Sequence, residues 1–158
     1  MLKTFSLILA ALTIASADAP PTGQMKVDGK TVKLTQVYAH ATVGFFDKKK
    51  DDTVVILADR PLTDAQLRDD FALRRMATDG KLCYVQATIN ASGQIINFLI
   101  GHQAFKALPS GGSTEHVFEG TVDAKVVAGK IHTKGEQTFF GTKYEYDASF
   151  RANVQAKK

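Results

Sequence analysis

Residues 143–154 alternate strictly between apolar and polar side chains, and this pattern constrains the fold more than any other part of the chain. Tyr144, Tyr146 and Phe150 belong to the apolar set, whereas Lys143 begins the polar set. Successive side chains of a β-strand point to opposite faces of the sheet. The segment is therefore predicted to be a strand with one buried face and one solvated face.

Other segments carry strand patterns too. They are residues 25–27, 31–43, 53–58, 81–89, 94–100, 115–123 and 125–133. Residues 53–58 (TVVILA) are apolar almost throughout and too few for a helix, so they predict a strand covered on both faces. Asp28-Gly29 is a strong hairpin-turn signal, because type I′ turns need positive φ at both central residues.

Only residues 64–78 favour a helix. Thr63 suits the N-cap position, and Gly80 is placed to follow the C-terminus. Leu67 and Phe71 project from nearly the opposite side to the other apolar residues. The helix is therefore sandwiched between two surfaces, breaks near Asp70, or leaves these two side chains exposed for a partner.

These patterns predict a mainly β fold, an antiparallel β-sandwich of about seven or eight strands with one α-helix near residues 64–78. The alternative is an α+β fold in which a curved antiparallel sheet surrounds the helix. A chain of 158 residues fits one domain, which we assign to residues 25–154 with a tail at 155–158.

The N-terminus has the three parts of a secretory signal peptide. Lys3 supplies the positive charge, residues 5–14 are apolar, and Ala15-Ser16-Ala17 is a small-residue cleavage site. We therefore predict a signal peptide at residues 1–17, a flexible leader at 18–24, and a periplasmic or secreted protein. Cys83 is the single cysteine, so no intramolecular disulfide can form.

The formal net charge of +4 is mildly basic. Lys48, Lys49 and Lys50 form the densest basic run, but Asp51 and Asp52 follow at once, which favours a solvated loop. Arginine-rich and aromatic-interleaved stretches are lacking, so no nucleic-acid partner is predicted. No apolar run is long enough to predict a membrane span.

The familiar local motifs of hydrolases, nucleotide-binding proteins and zinc enzymes are absent from the sequence, and no cofactor is predicted. Its four histidines, His40, His102, His116 and His132, each lie in or beside a predicted strand. Facing strands can bring such side chains within reach of a metal, and His40 and His132 come nearest to this description. Hydrogen-bonded structural histidines are the alternative, and no metal site is assigned.

Two phenylalanine pairs are the main candidates for binding. Phe45 and Phe46 follow Gly44, and Phe139 and Phe140 precede a glycine. Rings at loop edges can line a ligand groove or an interface, or they can cap the open end of a core. Leu67 and Phe71 of the helical segment form a second candidate surface.

Residues 38–62 (YAHATVGFFDKKKDDTVVILADRPL) and 132–150 (HTKGEQTFFGTKYEYDASF) resemble small exported bacterial proteins that carry no assigned function. The resemblance spans residues 29–154. It implies a bacterial periplasmic address and transfers no active site.

The sequence thus leads us to expect an exported, non-enzymatic binding domain. Its loop aromatics would recognise a protein, an envelope component or a small amphipathic ligand at one end of the sandwich. The alternative is a metal-dependent or hydrolytic periplasmic enzyme that uses clustered histidines. A structural subunit that adds a partner strand, along residues 115–123 or 143–154, is the third hypothesis.

Overall fold

The computed structural model describes residues 20–157, and the predicted signal peptide at 1–17 lies outside the described residues. The described part contains eleven strands and two short helices. The strands are β1 (Thr22–Val27), β2 (Lys30–Lys33), β3 (Gln36–Thr42), β4 (Asp52–Ala58), β5 (Tyr84–Ile89), β6 (Ile95–Gly101), β7 (Ser110–Gly111), β8 (His116–Val122), β9 (Val126–Thr133), β10 (Gln137–Phe139) and β11 (Thr142–Gln155). The helices, α1 (Asp64–Leu67) and α2 (Asp70–Thr78), follow β4.

The 14-residue strand β11 organises the sheet. It pairs antiparallel with β1 along one edge and with β9 along the other, so Asp147 lies between Gln24 and His132. Its last residues, Val154 and Gln155, pair in parallel with β3. The main path through the sheet therefore runs β2, β1, β11, β3, β4, β5, β6 and β7. Off this path, β10 pairs with β11, and β9 pairs with both β11 and β8.

The sheet curls on itself and encloses the larger hydrophobic core. Side chains from both halves of the path are buried in this one cluster, including Val55 and Leu57 of β4, Ile131 of β9 and Phe150 of β11. The apolar positions of β11 face this interior, which confirms the inward and outward alternation predicted for residues 143–154.

A second, smaller core covers the outer face of β4. Val54, Ile56 and Ala58 pack there with Leu73 and Ala77 of α2. Every residue of β4 is buried, which confirms that this strand is covered on both faces. The helix is therefore needed to shield an apolar strand that would otherwise face water.

The mainly β fold predicted from the sequence is confirmed. The two layers that the sandwich hypothesis required are joined by β11 into one curled sheet. A sheet wrapped around the helix is not what forms, because α2 packs on the outer face of β4 and the enclosed core is made by strands and loops.

The segment 31–43, predicted as one strand, divides between β2 and β3. The N–H of Leu34 donates to the carbonyl of Gly23 in β1, at 3.0 Å, and the N–H of Thr35 donates to the carbonyl of Ala58 in β4, at 2.8 Å. At these two residues the chain leaves one half of the sheet and joins the other.

The segment predicted as one helix is broken into α1 and α2. A break near Asp70 was one of the three alternatives that the sequence left open. Thr63 and Gln66 form a capping box at the start of α1. Asp69 then has extended backbone angles (φ −122°, ψ 90°), and its carboxylate accepts from the N–H of Ala72, at 3.0 Å. Asp69 therefore ends one helical turn and caps the next helix.

The outer limits of the domain differ slightly from those predicted from the sequence. β1 begins at Thr22, inside the predicted leader 18–24, and β11 extends to Gln155, the first residue of the predicted tail. The hairpin turn between β1 and β2 is confirmed, because Asp28 and Gly29 both have positive φ, 45° and 80°.

Aromatic side chains bring the two ends of the curled sheet together. The ring of His116 in β8 stacks on Phe98 in β6, with centroids 3.6 Å apart. Its Nδ1 lies 2.8 Å from the hydroxyl of Tyr146, and its Nε2 lies 3.2 Å from the hydroxyl of Tyr144. Burial lowers the pKa of His116 to about 4, so the ring is neutral at pH 7.

We expect His116 to make the fold sensitive to acid. Its pKa is lower in the folded chain than the ordinary 6.5, so the unfolded chain binds a proton first as the pH falls. Stability is retained above about pH 6.5 and lost progressively down to about pH 4, by about 3 kcal/mol from this group. Urea unfolding of the wild type and of His116→Phe, measured between pH 7.5 and 4, tests this.

The substitution should reduce the acid-dependent loss, whatever it does to stability at pH 7.5. Identical pH profiles for the wild type and His116→Phe would contradict the assignment.

Candidate ligand-binding groove

An open groove of about 1010 Å³ lies on the outer side of the curled sheet. Three segments distant in sequence form it: residues 37–43 of β3 and its end, residues 64–71 at the junction of α1 and α2, and residues 152–157 at the end of β11. We call it the outer groove. It exists because α2 covers β4 on this face but leaves part of β3 exposed.

Strand β3 forms the floor of the outer groove. Tyr38 and His40 pair with Ile56 and Val54 of β4, whose side chains pack toward the helices, so these β3 residues share the outer face. The hydroxyl of Tyr38 accepts from the N–H of Leu62, at 2.9 Å. This bond holds the segment that leads into α1 against the sheet.

The helical wall carries two apolar side chains, Leu67 and Phe71, beside the charged Asp64, Arg68, Asp69 and Asp70. Leu67 is half-buried and packs against the smaller core, whereas the side chain of Phe71 is 77% exposed. Val43, also exposed, lies on the strand side of the same groove. Leu67 ends α1 and Phe71 lies in the first turn of α2, and both side chains line the groove on either side of the break at Asp69.

Charged groups line the same groove. Burial lowers the pKa of His40, and the nearby carboxylate of Asp70 acts against this shift. The guanidinium of Arg68 lies 3.8 Å from the carboxylate of Asp64, and both side chains are exposed. Exposed ion pairs of this kind contribute about 0–1 kcal/mol, so Arg68 can exchange Asp64 for a ligand anion at low cost.

Phe45 and Phe46 lie in the β3–β4 loop, residues 43–51, directly after Val43. Their side chains are 70% and 76% exposed, and the rings meet edge to face with centroids 4.9 Å apart. The N–H of Phe45 donates to the buried carboxylate of Asp52, at 2.8 Å. A side chain at Gly44 would collide with the carbonyl oxygens of Asp47 and Lys50, so the tight loop requires glycine here.

Phe139 and Phe140 lie elsewhere. Phe139 ends β10 and Phe140 lies in the turn before β11, whereas Phe45 and Phe46 follow the end of β3, and β3 and β11 are parallel. The two pairs are therefore at opposite ends of the sheet. Phe139 packs against the core and Phe140 is exposed. The expected surface shared by all four rings does not form.

The histidines are separated. His116 faces the core; its pairing partner is Thr133, so the adjacent residue His132 faces outward, with Nε2 3.4 Å from Glu119. The buried His102 accepts from the N–H of Ala104, at 3.0 Å, and His40 lies in the outer groove. In residues 20–157, no three His, Cys, Asp or Glu side chains form a metal-binding group. The alternative hypothesis of clustered histidines thus lacks structural support.

Sequence reasoning missed several groove residues. Val43, Arg68 and Asp70 carry no motif, and the end of β11 was assigned in part to a tail. Only the hydrophobic mismatch at Leu67 and Phe71 pointed toward this surface. Their partners come from segments more than 20 residues away on either side, so no local signal could reveal them.

Comparison of the chain with protein-family models, curated sequences and solved structures gives no match. In the part of the chain that the structure describes, no helix is long and apolar enough to cross a membrane.

We expect the exposed phenylalanines to contribute little to stability. Phe46→Ala and Phe71→Ala should each change the free energy of unfolding by about 0.5 kcal/mol or less, because neither ring is buried. Phe150→Ala, in the core, is the control and should cost about 3–5 kcal/mol. Urea denaturation measures all three. A loss of more than about 2 kcal/mol in either surface variant would show that its ring supports the core.

Proposed function

We propose that this chain is an exported, non-enzymatic binding domain and that it holds a small amphipathic anion in the outer groove. The observation that carries the proposal is the meeting of exposed apolar side chains with an exchangeable cation around one concavity. Ligand sites are typically concave, mostly apolar, and equipped with a few polar groups that orient the ligand.

The apolar part of the ligand would lie across Val43, Leu67 and Phe71. These side chains expose apolar surface to water in the unliganded protein, and covering it is favourable at roughly 25 cal/mol per Å². The neighbouring strand residues are close-packed on β4, so the floor is already formed. Binding therefore requires little rearrangement of the backbone.

The acidic part of the ligand would meet Arg68. A guanidinium offers several donors in a planar fork and suits a carboxylate or a phosphate. The lowered pKa of His40 leaves a neutral ring in the floor, which can hydrogen-bond a polar group without adding charge. The predicted signal peptide supports a location where the protein meets ligands of the periplasm or the exterior.

Anilinonaphthalene sulfonate, an amphipathic aromatic anion, tests the proposal. We expect saturable binding with one dye per chain, seen as increased fluorescence. Phe71→Ser should weaken it about tenfold through lost apolar contact. Arg68→Gln should weaken it by a similar factor, because a charge-assisted hydrogen bond is removed.

Phe140→Ser is the matched control, since Phe140 is as exposed as Phe71 but lies at the other end of the sheet. It should leave the Kd of the groove unchanged. Equal effects of Phe71→Ser and Phe140→Ser, or binding that never saturates, would mean that the dye coats exposed rings and that the groove is not the site.

A further inference from the structure

We propose that the β3–β4 loop is a peripheral membrane-docking element that inserts Phe45 and Phe46 into the surface of an anionic lipid bilayer. This surface adjoins the outer groove but is distinct from it. Such docking is separate from ligand binding in the groove, because it would attach the whole protein to a membrane surface.

The first support is the shape and rigidity of the loop. Phe45 and Phe46 contact each other while most of each ring faces solvent. The loop is fixed beneath them by the bond from Phe45 to Asp52 and by the N–H of Lys50, which donates to the carbonyl of Asp47 at 3.0 Å. Two rings on an ordered, projecting turn can enter an interface without a large loss of conformational entropy.

The second support is the charge beside the rings. Lys48, Lys49 and Lys50 follow directly, and the ammonium of Lys48 lies 5.9 Å from the centre of the Phe45 ring. Among residues 20–157, none of these three lysines forms an ion pair. Their cationic ends are therefore available for lipid headgroups.

The loop's aspartates are engaged within the fold. Asp52 is buried against the N–H of Phe45, and Asp47 accepts from the N–H of Lys49, at 3.0 Å. Asp51 pairs with Lys157 of the C-terminal segment. Asp47 and Asp51 stay exposed and charged, so the loop presents its three lysines beside two carboxylates that already have hydrogen-bond partners.

Helix α2 also exposes an aromatic ring beside basic side chains. Phe71, Arg74 and Arg75 lie at spacings of three and four residues, which places them on one side of the helix, and all three are exposed. Within the described residues, neither arginine forms an ion pair. Phe71 and Val43 line opposite walls of the outer groove, so this helical surface adjoins the base of the loop.

A bilayer surface fits this arrangement better than a protein pocket. Its interface accepts aromatic rings at the depth of the acyl boundary while lysine side chains extend back to the phosphates. Each lysine near an anionic leaflet strengthens attraction, and salt screens it over about 10 Å at 0.1 M. Two rings and a few lysines should give weak, reversible docking, on the order of a single acyl chain.

The chain contains no tryptophan, so one introduced tryptophan reports its own environment. We would prepare Phe46→Trp and, as matched control, Phe140→Trp in the full chain. With vesicles of phosphatidylcholine containing phosphatidylglycerol, Trp emission should shift to the blue in Phe46→Trp and be quenched by brominated lipid. The control should show neither change, even if another part of the chain attaches it to the vesicle. Phe45→Trp is the second reporter if Phe46→Trp fails to fold.

The charge contribution is tested separately. Replacing Lys48, Lys49 and Lys50 with Gln should weaken vesicle binding about fivefold per lysine and reduce its salt dependence. Replacing Lys30, Lys33 and Lys134 with Gln removes the same net charge from exposed positions elsewhere. This control should change binding far less.

Three results would overturn the proposal. Unchanged Phe46→Trp emission with every vesicle would assign the loop to a protein partner instead. Equal shifts in Phe46→Trp and Phe140→Trp would show non-specific adsorption. Equal binding to vesicles with and without phosphatidylglycerol would remove the anionic surface as the target. None of these results bears on dye binding in the outer groove.

Discussion

The whole structure depends on the pairing of β11 with β1, β3 and β9, three of its four partner strands. Its antiparallel edges hold β1 and β9, and its last two residues hold β3 in parallel. Through these few hydrogen bonds one half of the chain is joined to the other, and the sheet can curl around a common core. Loss of the β3 contact would separate two partial sheets, each with an apolar face open to water.

The same connection explains where exposed apolar surface remains. β4 is shielded by α2 on its outer side, whereas β3, between β4 and the end of β11, is only partly covered and stays mostly half-buried. Its outer face therefore forms a groove floor, with Leu67 and Phe71 on one wall. The interior, by contrast, is closed by packed rings, and no buried side-chain nitrogen or oxygen among the described residues lacks a partner. The open apolar surface of the groove therefore lies on the outer side of the sheet.

The groove and the β3–β4 loop together suggest a division of labour. The groove offers a concave site in which Arg68 and Lys157 both lie in exposed ion pairs. The loop offers exposed rings beside three lysines that form no ion pair among residues 20–157. The first arrangement suits a small amphipathic anion, and the second suits an extended anionic surface. Their proximity would place bound ligand near a membrane, which is a physical reason for the two features to share one end of the sheet.

Interactions between residues close together in the sequence determined many of the strands and turns of this protein. Alternation in residues 143–154, the apolar run at 53–58 and the Asp28-Gly29 turn each specify backbone geometry within a few residues, and each is confirmed. The positions of the candidate binding residues relative to one another could not be predicted in this way. The sequence singled out Leu67 and Phe71 as a mismatch, and it grouped the loop rings Phe45 and Phe46 with Phe139 and Phe140 as a separate surface. Which rings become neighbours depends on strand order and on the parallel contact of β11 with β3, and such long-range pairing leaves no trace in local periodicity.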